Sequence, residues 1–260
     1  MDEQPYPHTV LQLDTASSSK GTILRQVHLD KALEKVLAAA KERCPFVGDD
    51  WFHRVTGDSA VLAAPSRVPK SVIAADFVRE LRTALRNFNA MMNDAGRLRV
   101  RLAIDHGDVI RHGEHINGAA VVRAARLCES ETLRDVLRRN NGVDLAVVLT
   151  EAFYGDAVEG GRDVDPAEFT FMHDRVKDRE VSGWLWLPGN GKRGGASKPY
   201  AAPSGPRSEP RPQPGPSTYI RSVTSHGPSV IGSGNSQTVH NYGPQTTRPP
   251  RDRATGEADD

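Results

Sequence analysis

A serine-rich loop is the first stretch whose residue types and spacing could do chemistry. It lies between Asp14 and a predicted helix, ends in Lys-Gly, and includes Ser17, Ser18 and Ser19. Free backbone amides before a helix N-terminus attract anions, so this loop is suited to a phosphate. Helix capping by Ser19 or a neighbour is the alternative role, and it needs no ligand. The sequence has no Gly-Lys-Ser/Thr phosphate loop and no Gly-x-Ser-x-Gly nucleophile motif.

A second stretch combines three histidines with two aspartates. These residues are His106, His112, His115, Asp105 and Asp108. Imidazole and carboxylate groups are zinc ligands, and their proximity in the sequence raises that possibility. Polar residues that alternate on a strand pair usually face water, and we therefore do not predict a zinc site here.

The composition restricts the class of protein and of partner. The chain has 260 residues, 37% of them hydrophobic, and 34 Lys+Arg against 33 Asp+Glu give a formal charge of +1. A nucleic-acid binder normally gathers a basic excess on one face, so no nucleic-acid partner is predicted. The sequence shows neither an apolar run of about 18 residues nor a signal peptide, which predicts a cytoplasmic protein without a membrane span.

The chain is predicted to have a folded domain and a tail. Residues 1–188 carry the periodic apolar patterns, whereas the remainder holds most of the 18 prolines. A segment so poor in large apolar residues cannot offset its conformational entropy, so we predict a disordered tail. The tail divides into a Pro/Gly/Ser-rich linker at 189–228, a short motif at 229–243 and a C-terminal segment at 244–260.

Apolar periodicity in the first 188 residues gives the order strand, helix, two strands, helix, strand. The predicted strands are 10–13, 51–55, 60–64, 99–104, 145–149, 169–172 and 183–187, with a short partner for 99–104 around Val109. The first helix has an apolar stripe that begins at Ile23 and Val27, a second helix follows Pro69, and a third helix follows Gly118. This order predicts a ferredoxin-like βαββαβ core of the α+β class, with helices on one face of a mainly antiparallel sheet.

Four segments in this order resemble the homology domain of class III nucleotidyl cyclases, and they are most similar to a divergent branch from actinobacterial signalling proteins. The segments are LQLDTASSSKG, VTGDSAVLAAP, LRVRLAIDHGDV and INGAAVVRAARLCES. The resemblance covers residues 9–188 and implies a ferredoxin-like core. Active members form a head-to-tail dimer with nucleotide sites between the subunits, so the resemblance also implies a homodimer.

The resemblance assigns a metal-binding role to two carboxylates, Asp14 at the end of the first strand and Asp58 in a Gly-Asp hairpin. Cyclisation is a phosphoryl transfer in which two divalent metals hold the triphosphate and activate the ribose hydroxyl. Mg²⁺ or Mn²⁺ is therefore the implied cofactor if a nucleotide is bound. The alternative is that Asp14 accepts hydrogen bonds in its loop and Asp58 is a turn residue. The family also places the phosphates against the loop that here contains Ser17, Ser18 and Ser19.

Other positions of the family motif are altered in this sequence. The two positions that read the base hold Arg54 and His115, so the usual base selection is lost. Arg126 takes the place of the arginine that stabilises the transition state, with a solvated helix residue as the alternative. Val122 replaces the asparagine that orients the ribose, and losing such a contact costs on the order of a hundredfold in rate. Cyclase turnover is therefore not expected.

A short motif in the predicted tail, SVIGSGNSQTVHNYG at 229–243, is apolar and amide-bearing. Its order Ile-Gly-x-x-Asn-x-x-x-Val resembles the RIP homotypic interaction motif and related bacterial amyloid signalling motifs. Neither proline nor charge interrupts 229–239, so β-branched side chains could interdigitate and amides could form ladders in a cross-β fibril. The motif residues are Val230, Ile231, Gly232, Asn235, Gln237 and Val239. The alternative is an ordinary polar run in a disordered tail.

These features predict a signalling protein. Its degenerate cyclase-like domain would sense a nucleoside triphosphate or related nucleotide, or dimerise, and its tail would join homotypic or heterotypic amyloid-like assemblies. Two alternatives stay open. One is an active cyclase that converts a nucleoside triphosphate into a cyclic monophosphate and diphosphate with two divalent metals, and the other is a pure dimerisation scaffold.

Overall fold

A computed structural model gives the fold of the domain. It describes residues 4–16, 22–44, 46–48, 50–159 and 163–189. The predicted linker beyond Gly189, the assembly motif and the C-terminal segment lie outside the described residues. None of the described helices is long and apolar enough to cross a membrane.

Strands and helices alternate along the described chain. The strands are β1 (Tyr6–Thr15), β2 (Phe52–Thr56), β3 (Ser59–Pro65), β4 (Val100–His112), β5 (His115–Asn117), β6 (Leu145–Leu149), β7 (Phe169–Val176) and β8 (Arg179–Trp186). The α-helices are α1 (Ile23–Arg43), α2 (Lys70–Val72), α3 (Val78–Asn89), α4 (Ala119–Cys128), α5 (Glu131–Arg139) and α6 (Glu151–Tyr154). A π-helical turn joins α2 to α3, so the two form one helical run.

The strands β1 to β4, together with α1 and α3, form the predicted ferredoxin-like unit. β1 lies between β3 and β4 and is antiparallel to both, and β2 pairs with β3 at the sheet edge. A parallel pair between β4 and β6 extends the sheet, and the antiparallel strands β8 and β7 complete it. The strand order is β2-β3-β1-β4-β6-β8-β7, which confirms a mainly antiparallel α+β sheet.

β4 is longer than the sequence pattern indicates. It runs without a break over 13 residues, and Val109 pairs with Tyr6 of β1. The prediction of a separate partner strand around Val109 is wrong, because Gly107 continues the strand instead of forming a turn. The turn comes at Gly113, which has a φ of +57°, and the partner strand is β5.

Both faces of the central strands are apolar, and each face packs against helices. α1 and α3 cover one face, where they contact Leu11 and Leu13 of β1. α4 and α5 cover the opposite face, where they contact Val10 and Ala103. The expected one-face arrangement holds for α1 and α3. It does not extend to α4 and α5, because strands that are apolar on both sides need cover on both sides.

The start of α1 is set by its cap. The side chain of Thr22 accepts a hydrogen bond from the Arg25 amide at 3.3 Å, which satisfies one of the free amides of the first turn. Ile23 is 77% exposed and Val27 is 44% exposed. The predicted apolar stripe is therefore wrong for the start of the helix, since α1 contributes to the core only from Leu29 onward.

An aromatic cluster lies on the β7–β8 hairpin. Trp184 stacks on Tyr154 with 4.3 Å between ring centroids and meets Phe171 edge-on at 5.4 Å. Trp186 belongs to the same buried cluster as Trp51, which packs beneath the helices on the α1 face. All three tryptophans of the chain are thus held by the described domain.

Candidate functional site

The sheet brings together the two chain segments that hold the predicted metal carboxylates. Asp14 lies near the end of β1 and is the cross-strand partner of Ser59. The Thr15 amide donates a hydrogen bond to the Asp58 carbonyl at 2.8 Å. Gly57 adopts a φ of +57° and closes the hairpin, so the β2–β3 turn lies against the end of β1.

A buried arginine lies on the other side of Asp14. Arg101 of β4 is the second cross-strand partner of Asp14, and its guanidinium forms an ion pair with the Asp14 carboxylate. The Arg101 side chain is 10% exposed and the Asp14 side chain 25% exposed. Burial lowers the pKa of Arg101 below its ordinary value, yet an arginine in a protein keeps its charge near neutral pH. Asp14 is therefore neutralised by a cation of its own sheet.

The Asp58 side of the site is acidic. Burial raises the pKa of Asp30 on α1, and the charges of Asp58 and Glu34 raise it further. Asp30 lies close to the hairpin, since a Cβ on Gly57 would be 4.0 Å from an Asp30 carboxylate oxygen. The two predicted metal carboxylates thus have opposite surroundings, with a cation beside Asp14 and further acids beside Asp58.

Arg101 pairs with one of the two carboxylates that the resemblance implies for the divalent metals. Mg²⁺ in nucleotide sites is held by one or two carboxylates together with waters and phosphate oxygens, so each carboxylate matters. Within the described ranges, no three His, Cys, Asp or Glu side chains come together in a way that could hold a metal ion. Asp14, one of the two carboxylates required, is already paired with Arg101.

The serine-rich loop leaves the sheet at a defined point. The Ala16 amide donates to the Arg99 carbonyl at 2.8 Å, which ties the start of the loop to the β4 side of the sheet. Ser17, Ser18 and Ser19 follow outside the described residues. Thr22, a neighbour of the serines, caps α1, so Ser19 is not needed for that role. A phosphate-binding role for the three serines stays a prediction.

The β4–β5 hairpin folds onto the edge strand β2. The Arg111 guanidinium donates to the Asp50 carbonyl at 2.8 Å and lies over the Phe52 ring at 5.5 Å from its centroid. Val109 and Ile116 of the hairpin join the core on this face of the sheet. This packing brings the start of β5 close to β2.

The structure brings together the two residues at the predicted base-reading positions. Arg54 lies on β2, where its Nη1 atom donates to the Glu114 carbonyl at 3.1 Å and lies 3.5 Å from Nδ1 of His115. Arg54 and Gln12 are both cross-strand partners of Val61, and cross-strand partners lie on the same face of a sheet. Gln12 is two residues from Asp14, and alternate residues of a strand also share a face. Arg54, His115 and Asp14 therefore belong to the same region of the domain, on the face covered by α4.

α4 presents the two remaining predicted residues. Gly118 precedes the helix with a φ of +153°, and a Cβ there would meet the Asp108 carbonyl at 2.5 Å, so this close approach requires glycine. Val122 is 44% exposed, and its side chain has no hydrogen-bonding group. Arg126 is half-buried one turn further along. No hydrogen bond or ion pair among the described residues joins Arg126 to Asp14.

Asp105 forms a buried network that the sequence pattern did not indicate. Its side chain is 1% exposed. It accepts hydrogen bonds from Arg123 Nε and Thr150 Oγ1, both at 2.7 Å. The expectation that the polar residues of this stretch face water is wrong for Asp105, because α4 and the end of β6 supply its partners. The nearby His106 ring nitrogen Nδ1 lies 3.0 Å from the hydroxyl of Thr9.

The sequence analysis does not single out Arg101 and does not predict the burial of Asp105, although the sequence contains a signal for each. Arg101 stands inside the apolar segment LRVRLAI, where a charged residue in a central strand needs a partner. Asp105 directly follows that segment, and the strand continues beyond it. The partners themselves depend on the strand register and on how α4 packs, and neither is visible in a sequence.

Comparisons with known proteins identify the fold. No protein-family model matches the sequence, and no curated protein matches it. The structure of an adenylate/guanylate cyclase/hydrolase from Silicibacter pomeroyi is 17% identical, covers 71% of this chain and 98% of its own, and superposes with a TM-score of 0.51. The described domain has the nucleotidyl cyclase fold.

Further cyclase structures resemble this nucleotidyl cyclase-like domain. The guanylyl cyclase Cya2 is 15% identical, with 73% of this chain and 98% of that chain covered and a TM-score of 0.49. A guanylate cyclase domain from Catenaria anguillulae, solved in complex with GTP, is 13% identical, with 71% and 98% covered and a TM-score of 0.45. The fold assignment rests on the Silicibacter pomeroyi structure, and an identity of 17% shows the fold and not the activity.

Proposed function

We propose that this chain is a signalling protein whose cyclase-like domain binds a nucleotide without cyclising it. The nucleotidyl cyclase fold supports a nucleotide as the ligand class. The proposed loss of turnover rests on Val122. Its exposed isopropyl group occupies the position where the family has the asparagine that orients the ribose. Without that hydrogen bond the attacking hydroxyl is not aligned, and alignment supplies much of the rate in phosphoryl transfer.

Arg54 and His115 are the proposed contacts to the base. The guanidinium is a fork of donors, and a neutral imidazole can donate from one nitrogen and accept at the other. Their separation of 3.5 Å lets both reach one base edge. The pair differs from the lysine and acidic or polar residue of ATP-specific members, so the preferred base need not be adenine.

Phosphate groups are proposed to bind at the serine-rich loop and Arg126. Ser17, Ser18 and Ser19 precede α1, whose N-terminus carries partial positive charge. Arg126 adds a full charge from α4. The family forms such sites between two subunits, and we propose a homodimer in which Arg126 and the serine-rich loop come from different copies.

Calorimetry on the full chain with ATP, GTP, CTP and UTP tests nucleotide binding. At least one nucleotide should bind, and Arg54→Ala should weaken it by about tenfold or more, because a hydrogen bond from a charged group is lost. Arg175→Ala, which removes an exposed arginine of β7, is the matched control and should bind normally. A dimer that binds none of the four nucleotides would point to the dimerisation scaffold instead.

An active cyclase is the second candidate, since both carboxylate positions of the family are present. Incubation with each of the four nucleotides and Mn²⁺, followed by mass spectrometry, should show no cyclic product. Product that disappears in Asp14→Ala and Asp58→Ala would reverse the proposal. Product that survives both substitutions would indicate a contaminating enzyme.

We further propose that the motif at 229–243 assembles homotypically and brings signalling domains together. Clustered tails would raise the local concentration of the attached domains, and nucleotide-dependent dimerisation would in turn raise that of the tails. A peptide covering 226–245 should give a thioflavin signal and cross-β diffraction, whereas a scrambled peptide of equal composition should not. Substitution of Gly232 and Asn235 should abolish fibres; fibres that persist would contradict the motif assignment.

A further inference from the structure

β4 holds a fixed positive charge beside Asp14, at the place where the cyclase fold is expected to hold a metal ion. Arg101 and Asp14 are directly opposed on antiparallel strands, and their side chains form an ion pair. Both strands lie inside the sheet, with neighbours on either side. The backbone register therefore sets the pair, which makes it a part of the fold and not a chance surface contact.

Asp14 is the carboxylate with which Arg101 forms an ion pair among the described residues. The Arg101 side chain is 10% exposed, and its Nε atom, like Oδ2 of Asp14, is buried with no hydrogen-bond partner among the described atoms. Burial lowers the pKa of Arg101, and nearby charges of both signs act more weakly. A metal ion that took Asp14 would leave this buried guanidinium without its carboxylate, which is strongly unfavourable.

We propose that the Arg101 guanidinium replaces the divalent cation at Asp14, so that the domain takes its nucleotide as a polyphosphate anion without a protein-bound metal at this carboxylate. A guanidinium neutralises the carboxylate, because it keeps its positive charge at all ordinary pH values. It cannot act as the Lewis acid that lowers the pKa of a hydroxyl group. The statement about the nucleotide rests on the proposed function, whereas the statement about the metal stands on the ion pair alone.

A four-variant cycle with Mn²⁺ as the probe tests the metal statement on the full chain. Free Mn²⁺ is measured by electron paramagnetic resonance with wild type, Asp14→Asn, Arg101→Met and the double variant. Asp14→Asn should leave the Mn²⁺ affinity of the wild type unchanged, because Asp14 is not available as a ligand. In the Arg101→Met background the same substitution should weaken Mn²⁺ binding by at least about 10-fold, because it removes a ligand and even groups that only orient ligands contribute about 10-fold to 100-fold.

Two results of the cycle would overturn the metal statement. One is a Mn²⁺ affinity that falls on Asp14→Asn in the wild-type background, which would make Asp14 a ligand beside Arg101. The other is a cycle in which Asp14→Asn has no effect in either background, which would show that Arg101 is not what excludes the metal. Arg101→Met removes a buried charge and is checked first by thermal unfolding. If it does not fold, the comparison of wild type with Asp14→Asn still decides whether Asp14 binds Mn²⁺.

Nucleotide affinity with EDTA and with Mg²⁺ gives the second readout. Wild type should bind with affinities that agree within about twofold, a difference of less than 0.5 kcal/mol by the usual conversion. Binding that requires Mg²⁺ would overturn the proposal. Failure to bind any nucleotide in either buffer would remove the proposed function, and the Mn²⁺ cycle would still test Arg101 on its own.

Discussion

Two aspartates in the central strands each form an ion pair with a different arginine, and the two ion pairs have different roles. The Asp14 pair with Arg101 lies at the site and joins two neighbouring strands. The Asp105 pair joins a buried carboxylate of β4 to the half-exposed Arg123 of α4. A buried carboxylate without a cation is costly, so each pair favours one arrangement of the elements that it joins. The first sets the charge of the site, and the second sets where the helix with Val122 and Arg126 is held.

Asp105→Ala should destabilise the domain by about 3 kcal/mol, because it leaves Arg123 and Thr150 without their acceptor and opens a buried polar space. Chemical unfolding followed by circular dichroism measures the change. Asp108→Ala on the same strand is the matched control, and since Asp108 is exposed it should change stability by less than about 0.5 kcal/mol. An equal loss of unfolding free energy in both variants would show that the hydrogen bonds of Asp105 do not stabilise the domain.

Asp30 should make stability depend on pH through its raised pKa. An acid with a raised pKa in the folded state stabilises the fold below its unfolded pKa, about 3.9, and loses this contribution as pH rises through the folded value. Asp30→Asn cannot ionise, so its melting temperature should exceed that of wild type at pH 7, and the difference should vanish near pH 3.5. Asp94→Asn removes an exposed carboxylate after α3 and is the control for the loss of one negative charge. A difference that does not change with pH would contradict the assignment.

At the scale of elements, the approach of α4 to β4 organises the site. α4 begins where the chain passes within contact distance of β4, at a glycine whose Cβ would collide with a backbone carbonyl. The hairpin before it reaches β2 and sets His115 beside Arg54. The sequence predicted the start of α4 after Gly118, because a glycine ahead of an apolar helical pattern is a local signal. It did not predict α5, although Ser130 and the spacing of Leu133 and Leu137 are of the same kind.

Gly118→Ala should destabilise the domain by about 2 kcal/mol or more, because a side chain there is strained and collides with the Asp108 carbonyl. If α4 shifts as a result, nucleotide binding should weaken together with stability. Gly142→Ala is the control, since a Cβ there meets nothing within 4 Å, and its effect should stay within about 0.5 kcal/mol. A stable Gly118→Ala protein would mean that the α4 start is free to adjust.

At the scale of the whole molecule, local sequence patterns predicted the helices and strands. They did not predict which side chains pair across long distances in the sequence. The order β1, α1, β2, β3 and the helix after Pro69 follow from periodicity and turn residues, and the ferredoxin-like unit follows from that order. The burial of Asp105 and the pairing of Arg101 depend on residues far away in the sequence. The spacing of Ile23 and Val27 is typical of core residues, but both are exposed, because the first two turns of α1 lie outside the core.

Removal of residues 190–260 should leave the folded domain unchanged, because the described elements already form two complete cores. The shortened chain should melt within about 2 °C of the full chain and bind nucleotide equally well. It should also form no fibres. A full-length chain with the 229–243 segment scrambled should match the shortened chain in melting temperature, nucleotide binding and absence of fibres. A truncated protein that does not fold would show that the tail contributes to the domain.

The positions of the tryptophans make the domain its own optical reporter. Trp51, Trp184 and Trp186 lie in the described domain, and the sequence after Gly189 contains no tryptophan. Excitation at long ultraviolet wavelengths therefore selects the emission of the domain, whatever the state of the remaining chain. Because Trp184 stacks on Tyr154 and belongs to the β7–β8 hairpin, its emission follows the integrity of that sheet edge. Unfolding of the domain can thus be recorded in the full chain without attaching a dye.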